Sequence, residues 1–231
     1  YDTHAVLPDL RVPYVYFPLH LQPEASTVPM GSAFADQVVV AKLLSAELPP
    51  GVLLYIKEHY KKSSWLGRTL QDYQDLLSLP HVRLVQRHVD TFVLREHCRA
   101  VATVSGSAGF EGLFRGKPCF MFGHRFYQYA RGVYRIHSKE DLEHAVHEVF
   151  TKHVTPTLAE SRLYLKAIEE TCVHGTVNPW DRKVSHLNDE EHIRANSAAI
   201  LQELQEIWRD AVQVSDCHSA LRGSGPRTGA C

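Results

Sequence analysis

Short apolar runs alternate with amphipathic helical stretches about five times between residues 14 and 122, and this rhythm leaves few folds open to the chain. The runs at 14–20, 52–57, 82–85, 100–104 and 118–122 are rich in aromatic and β-branched residues, as strands are. Helical spacing occupies 36–48, 69–77 and 91–98, and a short helix follows the Gly-Ser turn at 105–107 and stops at Gly116. Val52-Leu53-Leu54-Tyr55-Ile56 is continuously apolar rather than alternating, as expected of a strand covered on both faces. Strands separated by helices make βαβ units, so the expected fold is α/β, a parallel doubly wound sheet flanked by helices.

Such sheets bind ligands beyond the carboxyl ends of their strands, near the point where the strand order reverses. The residues leaving each strand are therefore the candidates: 20–26, 57–59, 86–90, 105–111 and 123–124. In Ser105-Gly106-Ser107-Ala108, small residues would let an anion approach backbone N–H groups at a helix start. The same turn also suits a plain packing junction, since it is neither G-x-G-x-x-G nor a Walker loop. Glu111, one turn further on, is in reach of ribose hydroxyls. Lys57 and His59 share a face by strand alternation and could hold a phosphate or carboxylate, or be a solvated lysine and a loop cap. Glu24, with Gln22 close by, is a catalytic carboxylate, a sugar-hydroxyl ligand or a loop stabiliser. Residues 124–131 mix cations with aromatics, which suits a sugar or nucleotide platform or an interface.

Several classes fall away. The net charge of −1 gives no field for nucleic acid. No Cys or His spacing matches a metal site and no G-x-S-x-G is present, so no metal and no serine nucleophile are expected. The five cysteines (Cys98, Cys119, Cys172, Cys217, Cys231) are odd in number and lack C-x-x-C, which favours free thiols in the reducing cytoplasm. No signal peptide and no membrane-spanning apolar run is visible. A start on Tyr1 leads to the expectation of a piece of a longer chain.

Residues 1–13, with Pro8 and Pro13, read as a linker or incoming segment, and 14–155 as the sheet domain. Residues 156–213 read as C-terminal helices. One of these follows an Asn188–Glu191 capping box and carries Ile193, Ile200, Leu201, Leu204, Ile207 and Trp208 on one face. Residues 214–231 are polar and expected to be disordered.

The segments Tyr14-Val15-Tyr16-Phe17-Pro18-Leu19-His20-Leu21-Gln22-Pro23-Glu24-Ala25-Ser26, Tyr55-Ile56-Lys57-Glu58-His59 and Thr103-Val104-Ser105-Gly106-Ser107-Ala108-Gly109-Phe110-Glu111 resemble, in that order, the bacterial capsule polysaccharide biosynthesis proteins. Gly116-Lys117-Pro118, Gly123 and Tyr127 also fit. That family includes β-Kdo glycosyltransferases. The resemblance implies a GT-B-like enzyme of two Rossmann-like halves, this chain being similar to the C-terminal, donor-binding half. It implies transfer of Kdo from CMP-Kdo to a capsule or surface glycolipid in the cytoplasm, with peripheral contact at the inner membrane and no cofactor. His59 and Glu24 would then be catalytic. Lys57, Ser105, Gly106, Ser107, Ala108, Glu111 and Gln22 would bind substrate, and the acceptor site would lie in an N-terminal half. A non-catalytic nucleotide-sugar-binding module and a sugar-nucleotide epimerase are the alternatives. The chain departs from the family at Tyr60, where the family carries Pro after the histidine; Pro would fix the backbone there.

Overall fold

The computed structural model describes residues 1–22, 24–59, 68–178 and 182–222, with side chains of the last helix described as far as Arg209. Six strands form one sheet: β1 (Tyr14–Pro18), β2 (Leu53–Lys57), β3 (Val82–Val85), β4 (Ala100–Thr103), β5 (Cys119–Met121) and β6 (Val133–Arg135). Their order is β3-β2-β1-β4-β5-β6 and every pair is parallel. This is the doubly wound arrangement that the alternation predicts. Val6 extends the sheet by a single parallel bridge to Val85.

Helices α1 (Gln37–Glu47), α2 (Leu70–Ser78), α3 (Thr91–His97) and α4 (Ser107–Leu113) connect successive strands from β1 to β5, and α5 (Lys139–Val146) follows β6 and continues as a π-helical turn over His147–Thr151. Side-chain caps fix most of their starts. Asp36 and Asp90 accept from backbone N–H groups two residues on, and Thr69 and Ser138 close capping boxes with Asp72 and Asp141.

Strand alternation sorts the core onto two faces. Val15, Phe17, Leu54, Ile56, Ala102 and Phe120 pack with Val40 and Leu44 of α1 and Leu142 of α5. Tyr14, Tyr16, Tyr55 and Val101 pack on the opposite face with Leu94 of α3. Beside them Cys119 and Met121 meet Leu113 of α4 and Tyr127. Gly109 permits this close approach, because a methyl there would lie 2.4 Å from Cys119 Sγ and 2.6 Å from Tyr127 OH. Cys98 and Cys119 are buried free thiols, and Cys172 is an exposed one. Cys217 and Cys231 lie outside the described side chains.

The periodicity does not announce β6. It is three residues long and follows Gly132, whose φ of 87° is left-handed. Beyond β6 and α5, among the described residues, lie α6 (Leu158–Thr171) and α7 (Asp189–Arg222). Asn188 and Glu191 form the expected reciprocal cap at the start of α7. This helix continues into the stretch beyond 214 whose composition predicts disorder, and no glycine or proline interrupts it before Gly223. Residues 223–231 lie outside the described residues. The chain divides into two compact units, Tyr1–Ala167 and Ile168–Cys231. Among the described residues no helix is long and apolar enough to cross a membrane.

Candidate functional site

The strand order reverses between β1 and β4, which pair through Val15–Ala100 and Tyr16–Val101. The crevice beyond their carboxyl ends is where two chain exits meet, one running through His20 and the other through Ser105 and Gly106. The His20 ring bridges them. Its Nε2 lies 3.1 Å from Thr103 Oγ1, and the Ser105 N–H donates to it at 3.5 Å. Thr103 Oγ1 in turn accepts from the Gly106 N–H at 2.8 Å. Two donors pointing at Nε2 make it the acceptor nitrogen of a neutral ring, with the proton on Nδ1. Burial holds the His20 pKa down at about 4, helped by Arg68, His59 and Arg125 and opposed by Glu24.

Gly106 is required in this arrangement. A methyl on it would stand 2.7 Å from His20 Cε1 and 2.9 Å from Thr103 Oγ1. Gly106 is also the N-cap of α4, and no side chain caps that helix. Its carbonyl is held instead by the Tyr127 hydroxyl, which donates to it. The Ser105 hydroxyl donates to the Ser26 carbonyl and is buried.

The segment after β1 folds across the exits of β4 and β5. His124 N–H donates to the Met30 carbonyl at 2.8 Å, and Gly123 N–H donates to the Val104 carbonyl at 2.8 Å. Phe34 packs edge-on against Phe122, with ring centroids 5.3 Å apart. Gly31 and Gly123 make this contact possible. A methyl on Gly31 would lie 2.5 Å from the Thr27 carbonyl oxygen, and one on Gly123 would lie 2.4 Å from that of Met30.

The residues singled out from sequence take different places around this junction. Gln22 is used in holding the segment, since its Nε2 donates to the Ala35 carbonyl and its Oε1 accepts from Gln37 Nε2 at 3.1 Å. Gln37 also brackets His20, accepting from its N–H at 2.7 Å and donating to its carbonyl at 3.2 Å. Glu24 is exposed and accepts from the Ser26 hydroxyl at 2.8 Å. Lys57 is 6% exposed; burial lowers its ammonium pKa and nearby Asp90 opposes that. His59 stands at the β2 exit, two residues past Lys57, and its N–H donates to Glu58. Ser107 donates to Glu111 Oε1 at 2.9 Å, and Glu111 Oε2 pairs with Arg95 at 2.6 Å, so Glu111 is anchored on the α3–α4 side. Ala108 packs against the core of that face. Tyr60 and Pro23 lie outside the described residues.

Sequence reading did not find an ion pair beside His20. Arg68 and Glu58 pair at 2.8 Å with side chains 3% and 7% exposed. Arg68 Nη2 donates to the His20 carbonyl at 2.8 Å, and Glu58 accepts from the His59 N–H at 2.7 Å and from the Tyr73 hydroxyl at 2.5 Å. One buried pair thereby ties the β1 and β2 exits together. The Lys-Glu-His run was visible in the sequence, but nothing in it pointed to a partner ten residues on. Arg68, His59, Arg125 and Glu24 are the charged or titratable neighbours of His20, and Glu58 pairs with Arg68 among them.

A family model described as capsule polysaccharide biosynthesis protein matches residues 3–161. Among curated proteins no significant match is found. Several solved structures resemble the chain. The beta Kdo 2,7 transferase KpsC from Thermosulfurimonas dismutans is 15% identical with a TM-score of 0.46, covering 71% of this chain and 56% of that one. The UDP-GlcNAc 2-epimerase from Methanocaldococcus jannaschii is 14% identical with a TM-score of 0.47, covering 71% and 47%. The spinosyn forosaminyltransferase SpnP is 17% identical with a TM-score of 0.42, covering 74% and 44%. The chain thus spans about half the length of these structures.

Proposed function

The chain belongs to the capsule polysaccharide biosynthesis protein family, and from that premise we propose that it is the donor-binding half of a glycosyltransferase, acting on a CMP-sugar, with Kdo as the sugar moved. The observation that carries the reading is the His20–Thr103–Gly106 constellation, set at the switch point of the sheet.

Glycosyl transfer breaks the bond between the donor's anomeric carbon and a phosphate oxygen, and CMP leaves with the electron pair. Positive charge grows on the sugar ring while negative charge grows on the departing phosphate. Groups aimed at that phosphate stabilise the transition state more than the ground state. We assign the phosphate to the turn at Ser105, Gly106, Ser107 and Ala108, with His59 and Lys57 beside it. The turn acts through the Ser107 and Ala108 N–H groups, because those of Ser105 and Gly106 are engaged by His20 and Thr103. His20 and Thr103 hold the turn in shape. Glu24 faces the sugar and acceptor, on a segment that Gln22 fixes, and the Ser107–Glu111 pair meets the ribose. The acceptor is a capsule or surface glycolipid engaged by a second half, and the reaction is cytoplasmic, at the membrane surface. The free thiols of Cys98, Cys119 and Cys172 are in keeping with a reducing compartment.

Titration calorimetry with CMP tests the reading. The chain is expected to bind CMP, and His59→Ala to weaken it about tenfold or more, since hydrogen bonds to charged groups contribute roughly 1.5–3 kcal/mol. Lys42→Ala, which removes an exposed pair with Asp75 on α1, should leave the affinity unchanged. No heat with CMP, or equal affinity in the His59 variant, sinks the assignment.

A further inference from the structure

The last helix carries apolar residues at a spacing found nowhere else in the chain. Ile193, Ile200, Ile207, Val214 and Leu221 recur every seven residues, and Leu204 and Ala211 stand four after Ile200 and Ile207. Over the described side chains this stripe is in solvent: Ile193, Ile200, Leu201, Leu204 and Ile207 are 56–62% exposed and Trp208 is 74% exposed. The residues that an amphipathic pattern marks for burial are the ones left uncovered. Helix α7 runs for 34 residues, roughly 50 Å. Helices of such length draw most of their stability from packing of the apolar face. A strict seven-residue repeat stays in contact with its partner only when that partner is another helix wound around it.

We infer that α7 forms a parallel, in-register two-helix seam with α7 of a second copy of this chain. This goes beyond the proposed glycosyl transfer and does not depend on it. Ile193, Ile200, Ile207, Val214 and Leu221 occupy the d positions of the heptad, and Ser197, Leu204, Ala211 and His218 the a positions. The flanking g positions are Asn196, Glu203, Asp210 and Cys217, and the flanking e positions are Arg194, Leu201, Trp208 and Ser215. Two identical helices set antiparallel would bring the g row against itself, Glu203 and Asp210 among like charges. Set parallel, each g position faces the e position of the next heptad, so Asn196 meets Leu201 and Glu203 meets Trp208 of the other copy, with no like pair. Ser197 is the polar a position of the described part. Only an identical helix in register puts a hydroxyl opposite it, whereas an unrelated apolar seam would leave it unpaired. The apolar d row runs for about four heptads, with Leu204 and Ala211 at the a positions between Ser197 and His218.

Sedimentation velocity of the full chain over a concentration series tests the pairing. The expected result is a species of twice the chain mass that dissociates on dilution and is lost in Ile200→Asp/Ile207→Asp. Because aspartate also weakens the helix itself, cysteine scanning supplies a second arm. Ile200→Cys puts a thiol in a d layer, where a parallel in-register pair oxidises to a covalent homodimer under an added disulfide oxidant. Both variants are made with Cys172, Cys217 and Cys231 replaced by serine, and in that background Gln202→Cys, whose thiol is on the outer face, should remain uncoupled. A wild-type chain that is monomeric throughout overturns the inference, and so does a dimer that survives the aspartates. Equal cross-linking of the two cysteine variants, or none in Ile200→Cys, also overturns it.

Discussion

The ring of His20, at the exit of β1, lies 3.1 Å from the hydroxyl of Thr103, at the end of β4. This contact closes the junction where the sheet reverses its order, and the Gly106 N–H rests on the same hydroxyl at 2.8 Å.

Thr103→Val keeps the shape of the side chain but removes the acceptor for the Gly106 N–H and the partner of His20. A buried donor left unpaired costs about 1–3 kcal/mol. Urea denaturation should register a loss of that size, and an unchanged midpoint would mean that the turn finds other partners.

Gly106→Ala drives a methyl to 2.7 Å from His20 Cε1. The single variant should lose roughly 1–3 kcal/mol, the usual cost of overpacking. Combining it with His20→Ala opens the space again, so the double variant should be more stable than the two single losses added together. A double-mutant cycle measures this coupling, and simple additivity would argue against the contact.

The pH dependence follows from His20. Its ordinary value is 6.5 and burial holds it at about 4 in the fold. Between those values the unfolded chain binds more protons than the native one, so stability rises with pH. The contribution is complete above about 6.5 and is lost as pH falls toward about 4. It amounts to a few kcal/mol, on the order of 3. The slope should flatten in His20→Gln across pH 4–6.5 in chemical denaturation, and an identical slope in both proteins would rule His20 out as its source.

The Glu58–Arg68 pair is buried on both sides. Arg68→Met leaves the Glu58 carboxylate without its cation and should cost about 3–5 kcal/mol. Glu58→Gln/Arg68→Met together should recover much of that loss. Thermal unfolding of the two variants gives the comparison, and equal melting temperatures would show that the ionic pairing is not what matters.

The Ser107–Glu111–Arg95 chain separates two roles. Arg95 is 7% exposed, so Glu111→Gln strands a nearly buried guanidinium and should destabilise by about 1–3 kcal/mol. Ser107→Ala removes only one hydrogen bond at an exposed site and should shift stability by no more than about 0.5 kcal/mol. A larger effect from Ser107 than from Glu111 would reverse this ranking.

Strand and helix positions were legible because each element carries its own local signal. Val52 to Ile56 reads as a buried strand, and the helices expected at 36–48, 69–77 and 91–98 begin at the caps Asp36, Thr69 and Asp90. Strand β6 was not legible, since three residues after a left-handed glycine hold no period. The edge where the candidates gather was also readable, from the rule for parallel sheets. His20 fell within the suspected stretch after β1, but its partnership with Thr103 joins residues 83 apart in the chain, and no local pattern encodes it. The same holds for Arg68, and for Glu111, whose anchor on Arg95 depends on how α3 and α4 pack. Spacing tells where a side chain leaves the backbone, not which group it finds there.

The glycines at 31 and 123 have a practical bearing on protein engineering. Because methyl groups there would meet the Thr27 and Met30 carbonyls at 2.5 and 2.4 Å, the segment over the crevice admits no slack in its path. Grafting that segment alone from one homologue to another would set its glycines against the wrong backbone. The transplantable module is a discontinuous one, in which 20–35, 103–107 and 122–124 move together.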